Sequence, residues 1–103
     1  MHATIRRYEG VDFARNEELT KRVREGLLPQ LRKLDGFSGY YLIEAGNGVL
    51  SSFGLFKEPT QVDEATKVAA AWVKSEGLES ALPNAPRITT GKVVAHENGV
   101  AVA

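Results

Sequence analysis

Both strands of a predicted β-hairpin, residues 37–56, carry apolar side chains on both of their faces. Side chains alternate across a strand, so each strand divides its apolar residues between two sides. The first strand places Phe37, Tyr41 and Ile43 on one side and Tyr40 and Leu42 on the other, and the second places Val49, Phe53 and Leu55 against Leu50 and Phe56. A sheet with one wet face would alternate apolar and polar residues. This hairpin is therefore predicted to be covered on both faces.

The first third of the chain predicts a strand and a helix. His2–Tyr8 has a strand pattern, and a helix is expected from about Phe13 or Asn16 to Leu34. The apolar stripe of that helix recurs every three or four residues, as one buried face requires. Pro29 lies inside the helix and predicts a kink or break near Leu28, because proline has no N–H to donate.

The rest of the chain predicts a hairpin turn, a second helix and a last strand. Gly46-Asn47-Gly48 is typical of a tight turn with positive φ angles. Thr60 is predicted to be the N-cap of a helix over 61–76, which carries Ala65, Ala69 and Trp72 along one face. Arg87–His96 has the pattern of the last strand.

This order, βαββαβ, predicts an α+β, ferredoxin-like domain over residues 1–97, followed by a flexible tail over 98–103. Right-handed crossovers place both helices on one face of a four-stranded antiparallel sheet. The other face is then bare, and a contiguous patch of Tyr40, Leu42, Leu50 and Phe56 is expected on it. We expect a second copy of the chain to cover that face, sheet to sheet, in a dimeric α/β barrel.

Composition excludes several classes of protein. The 13 basic and 13 acidic residues cancel, so the basic surface typical of nucleic-acid-binding proteins is not expected. The chain has no cysteine, which excludes disulfides, thiolate nucleophiles and Cys-ligated metals. No apolar run is long enough to span a membrane and the N-terminal residues show no signal sequence, so a cytoplasmic protein is expected.

Two neighbouring arginines and two neighbouring tyrosines are the first candidates for a site. Arg6 and Arg7 face opposite sides of a strand, so one is expected in a cleft beneath the helices, either pairing with a carboxylate such as Glu44 or stabilising an anionic substrate. Arg6 is favoured because it shares a face with Thr4 and Tyr8. Tyr40 and Tyr41 divide in the same way, and one of them should reach the cleft.

Metal chemistry is not expected. His2 and His96 are the two histidines, and antiparallel pairing of the first and last strands could bring them together near Glu97. Two ligands at the chain ends are too few for a stable metal site. The sequence also has no Ser-His-Asp set, glycine-rich phosphate loop or HExxH motif.

Two passages carry a resemblance to a known family. These are Leu-Leu-Pro-Gln-Leu followed by Asp-Gly-Phe-x-x-Tyr, within residues 27–40, and Ala-Ala-Ala-Trp-Val over residues 69–73. With the element order, they resemble the antibiotic biosynthesis monooxygenase-like family of dimeric α/β barrel proteins. The resemblance implies a cleft in each subunit between the sheet and its helices.

Haem-degrading members of that superfamily use an Asn on the first strand and a Trp and a haem-ligating His in the second helical region. Trp72 matches the Trp, but Leu82 stands at the His position and Arg6 and Arg7 replace the Asn. Haem iron would have no axial imidazole here, so haem degradation is disfavoured and no cofactor is expected.

The resemblance implies a homodimer that binds a small aromatic ligand. The first hypothesis is a cofactor-independent monooxygenase acting on an aromatic or polyketide-like substrate, with Trp72 and Tyr41 walling the cleft and Arg6 stabilising the substrate anion. Two alternatives stay open: a non-catalytic small-molecule-binding or stress-related protein, and a small isomerase or cyclase. The sequence does not decide whether the chain is an enzyme, because no acid–base pair is recognisable in it.

Overall fold

A computed structural model describes residues 1–97, and the predicted tail over 98–103 lies outside the described residues. Four strands form one antiparallel sheet in the order β2-β3-β1-β4. The strands are β1 (His2–Tyr8), β2 (Phe37–Gly46), β3 (Val49–Phe56) and β4 (Arg87–Lys92). The helices are α1 (Asn16–Arg22), α2 (Leu28–Arg32) and α3 (Pro59–Ser75). Order and pairing confirm the predicted ferredoxin-like α+β fold.

The first helical segment is continuous but widens in its middle. A π-helical turn, Val23–Leu27, joins α1 to α2, and the backbone N–H of Leu28 donates to the carbonyl of Val23, five residues back. Pro29 follows directly, and a proline interrupts the usual hydrogen-bond ladder because it has no N–H. The disturbance predicted near Leu28 is thus a π turn. The segment ends at Arg32, two residues before the predicted end.

Helix α3 begins earlier than predicted, because Glu58 and not Thr60 is its N-cap. The backbone N–H of Glu58 donates to Oε1 of Gln61 at 3.0 Å, and the Glu58 side chain accepts from the Gln61 backbone, which completes a capping box. Pro59 takes the first helical position, where its fixed φ angle fits and its missing N–H costs nothing. Thr60 therefore lies inside the first turn. At the other end of the domain, β4 stops at Lys92 and not at His96.

The two faces of the sheet differ sharply in burial. On the helix-covered face of β1 and β3 lie Thr4, Arg6, Leu50, Ser52 and Phe56, which are all buried. They contact a core of helical side chains, namely Leu19, Val23, Leu27, Leu31, Val62, Ala65, Ala69 and Trp72. The opposite face, called here the open face, includes Tyr41 and Ile43, which are 62% and 44% exposed.

The assignment of the hairpin to these faces corrects the sequence analysis. The set expected on the bare face, Tyr40, Leu42, Leu50 and Phe56, packs beneath the helices. Alternation separates two sets of side chains but does not say which set meets the helices. Phe37 also changes sides, because a bulge shifts the register between Phe37 and Gly39. Its ring lies edge-on to Phe56 at 5.8 Å on the covered face.

Within residues 1–97, no helix is both long and apolar enough to cross a membrane.

Candidate functional site

A cavity of about 310 Å³ opens between β1, helix α3 and the loop that leads into β4. This outer cavity takes residues from three regions: β1 contributes Arg6 and Tyr8, α3 contributes Thr66, Ala69, Ala70 and Val73, and the loop and β4 contribute Glu79, Leu82, Pro83, Asn84, Ala85, Pro86 and Ile88. Alanines on the facing side of α3 leave room where larger side chains would fill the space. The size of the outer cavity suits a small organic molecule.

A second, smaller space lies between the sheet, α1, the π turn and α3. This inner chamber has a volume of about 30 Å³. It shares a wall with the outer cavity, formed by Arg6, Tyr8, Ala69, Val73 and Leu82. The remaining lining residues are Leu19, Val23, Leu27, Tyr40, Leu42, Leu50, Ser52 and Trp72. The two spaces are thus neighbours that share five lining residues.

Arg6 is a buried cation without a carboxylate partner. Its side chain is on the covered face, 7% of the residue is exposed, and Nη2 is buried without a hydrogen-bond partner. None of the salt bridges found in residues 1–97 includes Arg6. Glu44, considered as a partner from the sequence, accepts from Asn16 at 2.7 Å instead. Arg7 is exposed on the opposite face and pairs with Glu9 at 3.0 Å.

Trp72 supplies a second buried donor, which borders the inner chamber as Arg6 does. It is 4% exposed, and its indole Nε1 has no hydrogen-bond partner. The indole fits against Gly26 in the π turn, where a Cβ atom would lie 2.7 Å from Nε1. Buried polar groups are normally paired. Two unpaired donors that border one chamber therefore indicate a place for an acceptor, such as a ligand oxygen.

The tyrosine on the cleft side is Tyr40, and the prediction that Tyr41 walls the cleft is wrong. Tyr41 lies on the open face, while Tyr8 and Tyr40 line the inner chamber. Burial raises the pKa of Tyr8 above its ordinary value, and the Arg6 charge offsets part of this. Burial also raises the pKa of Tyr40, against a hydrogen bond with Ser52. Both phenols therefore stay protonated near neutral pH and keep an O–H that can donate a hydrogen bond.

Some residues of the site left a signal in the sequence and others did not. Tyr8 is two residues from Arg6 on the same strand, so the alternation that favours Arg6 also places Tyr8 beside it. Glu79 reaches the outer cavity from a single 3₁₀ turn, Leu78–Ser80, and Asn84 reaches it from the loop that follows, and neither is long enough or regular enough for periodicity to predict the direction of a side chain. Asn84 is held in place by donating to the backbone carbonyl of Glu9 at 3.0 Å.

The residues present do not fit a haem or metal centre. Leu82, at the position of the haem-ligating histidine in the resemblance, borders both spaces and offers no ligand atom. No histidine lines the outer cavity or the inner chamber in the described part of the chain. Across residues 1–97, no group of three or more His, Cys, Asp or Glu side chains is placed to hold a metal ion.

The chain matches no protein-family model and no curated protein. Solved structures do match it over nearly its whole length. A protein of unknown function from Nitrosomonas europaea is 17% identical, with a TM-score of 0.75, and the match covers 97% of this chain and 95% of that one.

Two further structures carry names that concern monooxygenases. The monooxygenase ActVA-Orf6 of Streptomyces coelicolor, in complex with nanaomycin D, is 13% identical over 96% of this chain and 92% of its own, with a TM-score of 0.72. A candidate antibiotic biosynthesis monooxygenase from Caulobacter crescentus is 19% identical over 91% and 90%, with a TM-score of 0.69. The resemblance predicted from the sequence is thus confirmed at the level of the fold, which this chain shares with structures named as antibiotic biosynthesis monooxygenases.

Proposed function

We propose that this chain binds an aromatic or polyketide-like phenol or enol in the outer cavity, as its anion, and oxidises it with dioxygen without a cofactor. The observation that carries the proposal is Arg6, a guanidinium that is 7% exposed and has no carboxylate partner in residues 1–97. A buried charge is costly unless an opposite charge or hydrogen bonds compensate it. A bound phenolate or enolate would provide both.

The chemistry follows from stabilising that anion. A phenol or enol that loses its proton beside Arg6 becomes electron-rich enough to react directly with dioxygen. In a site with little water the guanidinium is worth more than in solvent, because fewer dipoles screen it. Glu79 borders the same cavity, is exposed, and is the carboxylate placed to accept the proton. Tyr8, held protonated by burial, is a hydrogen-bond donor to the ligand.

The shared fold supports this proposal, since one structure with that fold is a monooxygenase in complex with nanaomycin D. Nanaomycin D is the ligand of that other protein. That this chain binds an aromatic ligand is part of the proposal. Fold alone does not imply function, so the proposed activity rests on the buried donors of this chain.

A homodimer forms the second part of the proposal. The open face carries aromatic and aliphatic side chains on adjacent strands, among them Phe53, which lies between Tyr41 and Ile5. A contiguous apolar patch of this kind marks an interaction surface. The same surface on a second copy would cover it, because a two-fold interface pairs one patch with itself.

A non-catalytic ligand-binding protein is the rival function. It is favoured by the absence of histidine among the lining residues of both spaces in the described part of the chain, because histidine is the commonest general acid–base. Binding and oxidation therefore have to be measured separately.

The test compares the adjacent arginines as matched variants. Binding of an anthrone and of its non-oxidisable quinone is measured by calorimetry, and oxidation by an oxygen electrode. We expect Arg6→Gln to lose both binding and oxygen uptake, and Arg7→Gln, on the opposite face, to keep both. Binding without oxygen uptake in the wild type would establish the rival. Equal binding by both variants would show that Arg6 does not hold the ligand.

A further inference from the structure

The inner chamber is too small for an aromatic ring and large enough for a diatomic molecule. One water needs roughly 10–15 Å³ measured in this way, and the chamber has about 30 Å³. We propose that the inner chamber is the site where dioxygen binds, next to the bound substrate anion. This inference rests on the proposed function and adds to it the position of the second substrate.

Most of the lining of the inner chamber is aliphatic. Eight of its thirteen residues are aliphatic, namely Leu19, Val23, Leu27, Leu42, Leu50, Ala69, Val73 and Leu82, and the other five, Arg6, Tyr8, Tyr40, Ser52 and Trp72, carry polar atoms. Aliphatic walls in a buried cavity take up apolar guests such as xenon. Dioxygen is an apolar molecule of two atoms and is expected to partition into the same space.

The two unpaired donors suit the products of dioxygen reduction. Dioxygen accepts hydrogen bonds weakly, whereas superoxide and peroxide are anions that accept them strongly. Arg6 Nη2 and Trp72 Nε1 are both buried without partners, and both residues border the chamber. Donors fixed in advance where negative charge develops stabilise the transition state without reorganising. Arg6 also borders the outer cavity, so one cation serves the substrate anion first and the reduced oxygen afterwards.

The step balances without a cofactor. The carbanion form of the substrate, R₂CH⁻, gives one electron to dioxygen, and the resulting radical and superoxide combine to the peroxide R₂CH–O–O⁻. The new bond joins carbon to the proximal oxygen. The C–H bond and the O–O bond then break, and the ketone R₂C=O and hydroxide leave. Counted with the proton taken from R₂CH₂, the sum is R₂CH₂ + O₂ → R₂C=O + H₂O.

Trp72, the sole tryptophan, reports on the chamber directly through its fluorescence. The experiment measures quenching of that fluorescence by dissolved dioxygen in the full chain, with acrylamide as a quencher too large to enter. Val23→Ile adds one methylene to a chamber residue that does not line the outer cavity. Val62→Ile makes the same change at a residue that is 3% exposed and lines neither space.

We expect dioxygen to quench wild-type Trp72 far more efficiently than acrylamide does. Val23→Ile should lower the dioxygen quenching constant several-fold and raise the KM for dioxygen, while the Kd for the quinone stays the same. Val62→Ile should match the wild type in the quenching constant, the KM for dioxygen and the Kd for the quinone. Equal quenching in Val23→Ile and wild type, both being folded, would overturn the inference.

Xenon binding keeps the inference testable if Val23→Ile does not fold. Xenon under pressure is expected to occupy the inner chamber of the wild type in a crystal, and an empty chamber would refute the proposal. A chain that takes up xenon and shows fast dioxygen quenching, but consumes no dioxygen with any anthrone, would contradict the proposed function and leave the chamber as a gas site. These outcomes distinguish a failure of the inferred dioxygen site from a failure of the proposed function.

Discussion

Arg6 holds a charge inside the protein at a cost in stability, and this cost can be measured. Replacing a buried, poorly compensated charge by an apolar side chain of similar length is often stabilising. Arg6→Met is therefore expected to raise the free energy of unfolding by about 1 kcal/mol, in the manner of other sites where stability is traded for function.

Urea unfolding measures the effect, and Arg7→Met is the matched control. Arg7 is exposed, and its pair with Glu9 is a surface salt bridge. Such pairs contribute little, so the control should change the unfolding free energy by less than about 0.5 kcal/mol. If Arg6→Met were the less stable of the two variants, Arg6 would have a structural partner that outweighs its desolvation.

Tyr40 gives a pH dependence whose sign follows from burial. Its pKa in the folded state is raised above the ordinary 10.0, so the folded chain holds that proton more tightly than the unfolded chain. The resulting stability is fully present below about pH 10 and is lost as the pH rises through the folded pKa. Tyr40→Phe keeps the ring and removes the proton. We expect the variant to lose less stability than the wild type between pH 9 and pH 11, measured by urea unfolding at each pH; equal losses would contradict the assignment.

At the scale of elements, patterns predicted the existence of each strand and helix better than its ends. Asn47 and Gly48 have positive φ angles of 54° and 75°, as the predicted hairpin turn requires. The bulge between Phe37 and Gly39 escaped prediction, because an extra residue in one strand leaves no mark in a period-two pattern. Glu58 was also missed as N-cap, since glutamate is a less common cap than the threonine two residues later.

The π turn and Trp72 form one structural unit through Gly26. A Cβ on residue 26 would lie 2.7 Å from Trp72 Nε1 and 3.5 Å from its Cε2, so the rigid indole must shift. Gly26→Ala is expected to destabilise the fold by about 1–3 kcal/mol, the usual cost of overpacking, although alanine is the better helix former.

Unfolding by urea and the emission maximum of Trp72 test this expectation together. Gly91→Ala in β4 is the control, because a Cβ there meets nothing within 4 Å. A red-shifted emission in Gly26→Ala alone would show that the indole has moved. Unchanged emission and stability would mean that the backbone of the helical segment moves to make room for the Cβ and that the indole stays in place.

At the scale of the whole molecule, the fold could be predicted from the sequence, but only some residues of the candidate site could. Arg6 and Trp72 belong to regular elements, where alternation and helical periodicity indicate the buried face. The outer cavity also depends on residues 79–86, which comprise the end of a 3₁₀ turn and the loop into β4 and follow no periodic pattern that predicts side-chain direction. Which hairpin face meets the helices was likewise decided by packing, and the corrections at Tyr40 and Tyr41 both follow from that choice.

The same choice of face identifies the residues on which the dimer should depend. Phe53 lies in the middle of β3, directly opposite Ile5 on one side and Tyr41 on the other, at the centre of the open face.

An aspartate at position 53 would place a charge in the middle of the proposed interface, where it would be desolvated without a partner. Phe53→Asp is therefore expected to be a monomer of 11.2 kDa, whereas the wild type should have twice that mass by light scattering at micromolar concentration. Phe13→Asp is the control, because Phe13 is 37% exposed, lies in a 3₁₀ turn outside the four strands and should leave the dimer intact. A wild-type mass of one chain would refute the dimer; a dimer that survives Phe53→Asp would place its interface on another surface.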